Sequence, residues 1–438
     1  MKIRYLLFLV LSGLLFACDP SEAPTDELPA SEIGRVTSRM TDLMVQDVTN
    51  PPLAGRFFAY ATLAGYEVVA LNDTAYKSMA GVLNDFPEIE RPADIQDYSP
   101  SFSALLAMLQ TAQKMQPSGA ELGAYTTALL DSCKNLGFGE ATLDGSVRYA
   151  EAISKQILAY AKADRYNQIS NYPRYEPSGE KGSWYPTPPG YFAPVEPYFN
   201  TIRTFALDSA AQFKPIPPVA FSEDKNSDFF KMMLVNYKEE LTEEEKVIAA
   251  FWDCNPFALA NNGHLNVGMK KISPGAHWIG ITDIACQKAQ VDFSKAMLIT
   301  MAASVGMMDA FVACWDEKYR SDRIRPETAI RQYIDPKWTP FLQTPPFPEY
   351  LSGHSVVSAA EAVILTHFLG EDFAYSDTVE ERFGLQARDF KSFKQASQEA
   401  AISRFYGGIH YMDAIEVGVD QGTKVGNWVV KRLEGATP

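Results

Sequence analysis

The sequence predicts an all-α protein built as a large helical bundle, and three observations lead there. Its 438 residues, 46% apolar and 21% charged, are the balance of an ordered globular protein with enough chain for a substantial core. Several long stretches repeat apolar residues at helical spacing: GRVTSRMTDLMVQDV (34–48), SFSALLAMLQTAQKM (101–115) and GSVRYAEAISKQILAYAKAD (145–164). Alternating strand patterns are scarce, so a sheet-based fold is not expected.

Residues 1–17, MKIRYLLFLVLSGLLFA, place Lys2 and Arg4 before a short apolar run that ends on a small residue, the pattern of a secretory signal. Leu15-Phe16-Ala17-Cys18 resembles a bacterial lipobox with a bulky Phe16, which implies export and a lipid on Cys18 that anchors the chain to a membrane. Residues 18–34 are Pro-rich and acidic, and read as a flexible tether. Residues 35–438 are then one helical domain, with the candidate site in about 290–438.

Within that domain FSKAMLITMAASVGMMDAFVACWDEKY (293–319) is the most apolar stretch, yet Lys295 and Asp309 mark it as a core helix rather than a membrane span. Residues 171–218 break the helical pattern. Their Pro, Gly, Tyr and Trp predict a long loop packed by its own aromatics, either covering a site or joining two helical halves. Cys133, Cys254, Cys286 and Cys314 form no CxxC pair, so buried thiols are expected and a zinc site is not. The net charge of −15 argues against nucleic acid as a partner.

Three stretches hold the residues suited to chemistry. In KYRSDRIRP the seven-residue spacing of Lys318 and Arg325 predicts one helix face with two cations able to converge on an anion. In FPEYLSGHSVVSAAEAVIL, Ser352 reads as a helix N-cap. Gly353 offers a closely approachable amide, and His354 sits in the first turn, where free N–H groups favour an anion. In SRFYGGIHYMD, Arg404 and His410 flank Gly407 and Gly408, and the glycines suggest backbone passing close to that anion. Cations, directional donors and two imidazoles together suit a tetrahedral oxyanion.

In order and spacing these residues resemble the signature of the superfamily of type 2 phosphatidic acid phosphatases and vanadium-dependent haloperoxidases: KxxxxxxRP, PSGH and SRxxxxxHxxxD. Leu351 replaces the proline of the second part, and Asp413 follows His410 by three residues rather than four. WYPTPPGY and the GAHW stretch at 275–278 extend the resemblance to secreted bacterial haloperoxidase-like proteins. It implies vanadate as cofactor, contacted by Lys318, Arg325, Ser352, Gly353, Arg404 and His410, with His410 as the metal ligand. It also implies His354, Lys318 and His410 as catalytic residues. Hydrogen peroxide and halide are the implied substrates, iodide before bromide, with hypohalous acid as product and a small organic acceptor as a further partner.

The phosphatase branch is the alternative, with His410 as nucleophile and His354 as general acid. There an Asp orients the nucleophilic histidine, and the early position of Asp413 would turn its carboxylate by roughly 100° on a helix. In the haloperoxidase branch a backbone carbonyl can orient the imidazole instead. A noncatalytic surface lipoprotein that holds phosphate or glycans is a third class, disfavoured by two imidazoles aimed at one anion. Asp316 and Phe347 are expected to border the site or to pack. His264 and His277 are weaker candidates for approaching it, and His367 is expected near a helix end, packed or solvent-facing.

Overall fold

Helix starts in this chain are written into short polar–proline pairs. Asn50, Ser99 and Ser273 each accept a hydrogen bond from a first-turn N–H, and Pro51, Pro100 and Pro274 follow as the first helical residue. Proline there gives up no hydrogen bond and presets the backbone. The computed structural model describes residues 27–262 and 265–435. The expected signal sequence, Cys18, most of the tether and His264 lie outside the described residues.

Thirteen α-helices run through the described residues. The first half holds α1 (Ser31–Gln46), α2 (Pro51–Asn72), α3 (Pro100–Met115), α4 (Leu122–Asn135) and α5 (Glu140–Lys162). After the aromatic loop come α6 (Asp228–Lys238), α7 (Glu243–Phe251), α8 (Pro274–Ala289), α9 (Phe293–Ser321) and α10 (Pro326–Tyr333). The chain ends in α11 (Gly353–Leu369), α12 (Phe393–Tyr406) and α13 (Met412–Leu433). The strands are minor: β1 (Leu259–Asn262) pairs antiparallel with β2 (Leu265–Gly268), and β3 (Tyr375–Asp377) with β4 (Arg388–Phe390). The all-α expectation therefore holds. The expected tether boundary at residue 34 does not hold, because Leu28 is buried with its N–H on Ser101 Oγ and α1 begins at Ser31.

The helix α9 is the axis of the core, packed against α2, α8, α11 and α13. It is long and apolar enough to cross a membrane, but its most apolar stretch is wholly buried inside the protein. Asp309 within it accepts hydrogen bonds from Phe205, Ala206 and Leu207 N–H at 2.7, 2.7 and 2.9 Å. A carboxylate in an apolar helix thus holds the end of the aromatic loop against the core. Close contact between α11 and α13 depends on Gly422, where an added Cβ would lie 2.0 Å from the Val356 carbonyl oxygen. That contact sets α11, whose N-terminus bears Ser352-Gly353-His354, beside the start of α13.

Candidate active site

Lys318 and Arg325 do not share a helix face. Asp322 adopts a left-handed conformation at φ 47° and closes α9, and Arg325 is the extended N-cap of α10. Pro326 enforces this, because the residue before a proline avoids helical backbone. The segment is then held from outside: Trp184 N–H donates to Asp322 O at 2.8 Å, and Ile324 N–H to Gly182 O at 2.9 Å. The aromatic loop therefore pairs with the backbone that leads to Arg325. Its Val195 carbonyl also takes hydrogen bonds from Trp315 Nε1 (3.1 Å) and Tyr319 Oη (2.7 Å). The loop buttresses the site without lining its cavity.

That cavity is lined by the aromatic side chains of Phe257, Phe311, Trp315 and Phe347 and by Gly353, His354, Arg404 and His410. His410 sits between α12 and α13. Its Nδ1 lies 2.8 Å from Glu349 Oε1, and its Nε2 lies 3.1 Å from Arg325 Nη1. The carboxylate accepts from Nδ1–H, which leaves the lone pair on Nε2 toward Arg325. Burial, then Arg325, Lys318, Arg404 and Arg323, pushes the His410 imidazole well below its ordinary range, so it is neutral. His354 is also pushed well down by burial, with Arg404 and His410 adding to it.

Arg404 Nη1 donates to Trp252 O at 2.7 Å. Arg325 spends Nε on Phe347 O and Nη1 on Ile409 O, both at 2.9 Å, with Nη1 also donating to His410 Nε2 at 3.1 Å, and burial pushes its guanidinium down to about 9. Around this cavity, three of the buried side-chain atoms that lack a hydrogen-bond partner come together: Arg325 Nη2, Arg404 Nε and His354 Nε2. Buried N–H donors and cations without a partner are costly. Those of Arg325 and Arg404, beside the lone pair of His410, fit an oxyanion with an empty coordination position.

Lys318 and Ser352 lie behind this lining. Lys318 Nζ donates to the carbonyls of Pro348 (2.9 Å), Glu349 (3.1 Å) and Leu351, which uses its three protons, and burial pushes its amine down to about 7. Ser352 is the expected N-cap, accepting from Ser355 N–H at 3.3 Å. Phe347 lines the cavity as expected. Asp316 does not, being bonded to Asn200 and Arg320 instead. His277 is buried beside Cys254, and His367 is exposed against Phe368. The four described cysteines are buried free thiols.

Two expectations about the third stretch change. Gly407 ends α12 and Gly408 takes φ 72°, but both face the segment 338–342: an added Cβ would lie 2.7 Å from Leu342 Cδ1 or 3.1 Å from Pro340 Cβ. The glycines make a tight turn under a packed loop rather than an approach to the anion. The imidazole is oriented neither by Asp413 nor by a backbone carbonyl but by Glu349. Asp413 instead grips Arg323 with both oxygens (2.6 and 2.7 Å), and Arg323 Nε holds Glu349 Oε2 at 2.6 Å.

Residues 298–437 match the family model for the second helical-bundle domain of VCPO. The chain superposes on the crystal structure described as the first bacterial vanadium-dependent iodoperoxidase, with 43% identity, a TM-score of 0.87, and coverage of 93% of this chain and 97% of that one. The protein belongs to the vanadium-dependent haloperoxidases. Apo and holo structures of a bacterial vanadium-dependent chloroperoxidase share the fold at 15% and 16% identity, TM-scores of 0.65 and 0.64, 89% coverage of this chain, and 96% and 94% coverage of theirs. No curated protein sequence matches at a significant level. The cofactor of this haloperoxidase is vanadate, and hydrogen peroxide and halide are its substrates.

Sequence reasoning missed Glu349 and Arg323. Glu349 lies inside FPEYLSGH, three residues before Ser352, where an ionisable residue beside an anion-binding turn was the available signal. Arg323 lies inside KYRSDRIRP, hidden among other basic residues. Phe257 and Phe311 had no local signal beyond being apolar.

Proposed function

We propose that this haloperoxidase prefers iodide, then bromide, and releases hypohalous acid outside the cytoplasm, on the periplasmic or cell-surface side, anchored to a membrane by a lipid on Cys18. The observation that carries the halide preference is the 43% identity with an iodoperoxidase over nearly the whole chain. The wall formed by Phe257, Phe311, Trp315 and Phe347 supports it. Leaving water is costly for any ion, and iodide, the largest and most polarisable of these halides, loses least and gains most dispersion contact with aromatic faces.

When bound, vanadate supplies the Lewis acidity that activates hydrogen peroxide toward halide. The chain's own residues prepare the site for it. Arg325 Nη2 and Arg404 Nε direct unused donors at the oxyanion, and His410 Nε2, whose lone pair accepts from Arg325 Nη1 in this structure, turns that lone pair to the metal. The Gly353 amide, at the N-terminus of α11, adds a further donor. His354 Nε2 is the atom that takes up and returns a proton beside the anion. Lys318 raises the positive potential from behind the wall.

The test loads apo-protein with orthovanadate and compares peroxide-dependent oxidation of iodide and bromide, with p-nitrophenyl phosphate hydrolysis followed in parallel without vanadate. Faster iodide turnover is expected. Bromide preference would overturn the halide assignment, and phosphate hydrolysis without vanadate-dependent halide oxidation would overturn the reaction. His410→Ala is expected to abolish vanadate retention, read as vanadium content after gel filtration. Cys18→Ala is expected to move the protein from the membrane to the soluble fraction, and unchanged partitioning would remove the lipid anchor.

A further inference from the structure

Beyond the vanadate site, the fold gathers three potential metal ligands that are distant in sequence. Cys254 follows α7, His277 lies in the first turn of α8, and Glu380 lies in the 3-10 turn after β3. All three are buried, and Cys254 also lines the active-site cavity. His277 Nδ1 is 3.4 Å from Cys254 Sγ and 3.2 Å from Glu380 Oε1, and the sulfur is 3.7 Å from that oxygen. On its other edge, His277 Nε2 lies 2.8 Å from Asp377 Oδ2.

Hydrogen bonding accounts fully for the Asp377 contact, but around the other three atoms it leaves a choice. Nδ1 can give its one proton to the sulfur or to the carboxylate oxygen, and the Cys254 thiol chooses between Nδ1 and that oxygen, so one edge of the triangle has no proton of its own. A tetrahedral zinc ion bonded to sulfur, imidazole nitrogen and carboxylate oxygen would space its ligands about 3.6 Å (S–N), about 3.4 Å (N–O) and about 3.6 Å (S–O). The observed triangle is that triangle to within a few tenths of an ångström. Asp377 then stands where zinc-bound histidines place a carboxylate, accepting the distal N–H and holding the ring.

We propose that Cys254, His277 and Glu380 bind a zinc ion, with Asp377 orienting the histidine and a water from the cavity completing the coordination. Binding displaces the thiol proton of Cys254 and ties three segments of the chain together. It also braces the neighbouring site. Trp252 stacks on His277 at 4.6 Å and 18°, and the Trp252 carbonyl holds Arg404.

The experiment measures zinc by mass spectrometry in untagged, desalted protein, with vanadium measured alongside. About one zinc per chain is expected, with at least a tenfold loss in Cys254→Ser. In parallel, chelator-treated wild-type protein is titrated with Co2+, and a thiolate-to-cobalt charge-transfer band with tetrahedral ligand-field bands is expected. The cobalt spectrum decides the matter if Cys254→Ser does not fold. Folded wild type with neither zinc nor a thiolate–cobalt band would overturn the site and leave an imidazolium held between Asp377 and Glu380. Full zinc in a folded Cys254→Ser variant would overturn it as well.

Discussion

Glu349 Oε1 accepts the Nδ1 proton of His410 at 2.8 Å, and the same carboxylate holds Arg323, which in turn is gripped by Asp413. The contact decides which nitrogen of His410, the proposed metal ligand, faces Arg325 rather than Glu349. It also adds electron density to the ring that must donate. Glu349→Gln keeps the shape and removes the charge. Orthovanadate titration of this variant is expected to show roughly 10–100-fold weaker binding. Unchanged vanadate affinity in a folded Glu349→Gln protein would remove Glu349 from the site.

Asp413 acts one step further away. Its side chain is 19% exposed and touches Arg323, so Asp413→Asn loosens the guanidinium but leaves Glu349 on His410. The expected cost is about 1–3 kcal/mol of stability by urea unfolding. Vanadate binding should weaken less than in Glu349→Gln. The reverse order of the two variants in vanadate affinity would restore the Asp as the orienting group.

Gly408 stands at φ 72° with Pro340 against it, whereas Gly407 is in helical backbone and meets the Leu342 side chain, nearest at its flexible Cδ1 end. Gly408→Ala should destabilise by about 1–2 kcal/mol from the left-handed backbone alone. Gly407→Ala should cost less. Thermal unfolding of both variants checks the ranking, and equal stability of the two would contradict the turn geometry.

Burial pushes the Asp309 carboxyl up to about 6, against the three backbone N–H groups that lower it. Between its ordinary value of 3.8 and about 6 the folded state binds more protons than the unfolded one. Linkage then makes this group's contribution fall as pH rises through that window and level off above it. Urea unfolding from pH 4 to 7 should show the stability gap between wild type and Asp309→Asn narrowing by roughly 2 kcal/mol as pH rises. A gap that does not change with pH would sink the assignment.

Much of the candidate site was legible because its residues come from short stretches with fixed internal spacing. Ser352-Gly353-His354 reads as a capped helix start, and it is one. Arg404 and His410 were legible as a pair, but the reason for their glycines was not, since Pro340 and Leu342 come from a loop more than sixty residues away. Lys318 and Arg325 were placed on one helix because the spacing allows it. Pro326 was the overlooked signal that the helix had already ended.

Apolar periodicity, caps and the order of the motif residues were determined by the sequence alone, because each depends on neighbours within a few turns of chain. The tertiary structure decided what lies behind them: Glu349 on His410, the three carbonyls on Lys318, the loop at 182–184 bracing Arg325, and Cys254 beside His277 and Glu380. These contacts join residues from separate segments. Burying a charge or a polar group demands a partner, but the demand does not say which distant segment will supply it. Only the packing of α9, α11 and α13 makes that choice.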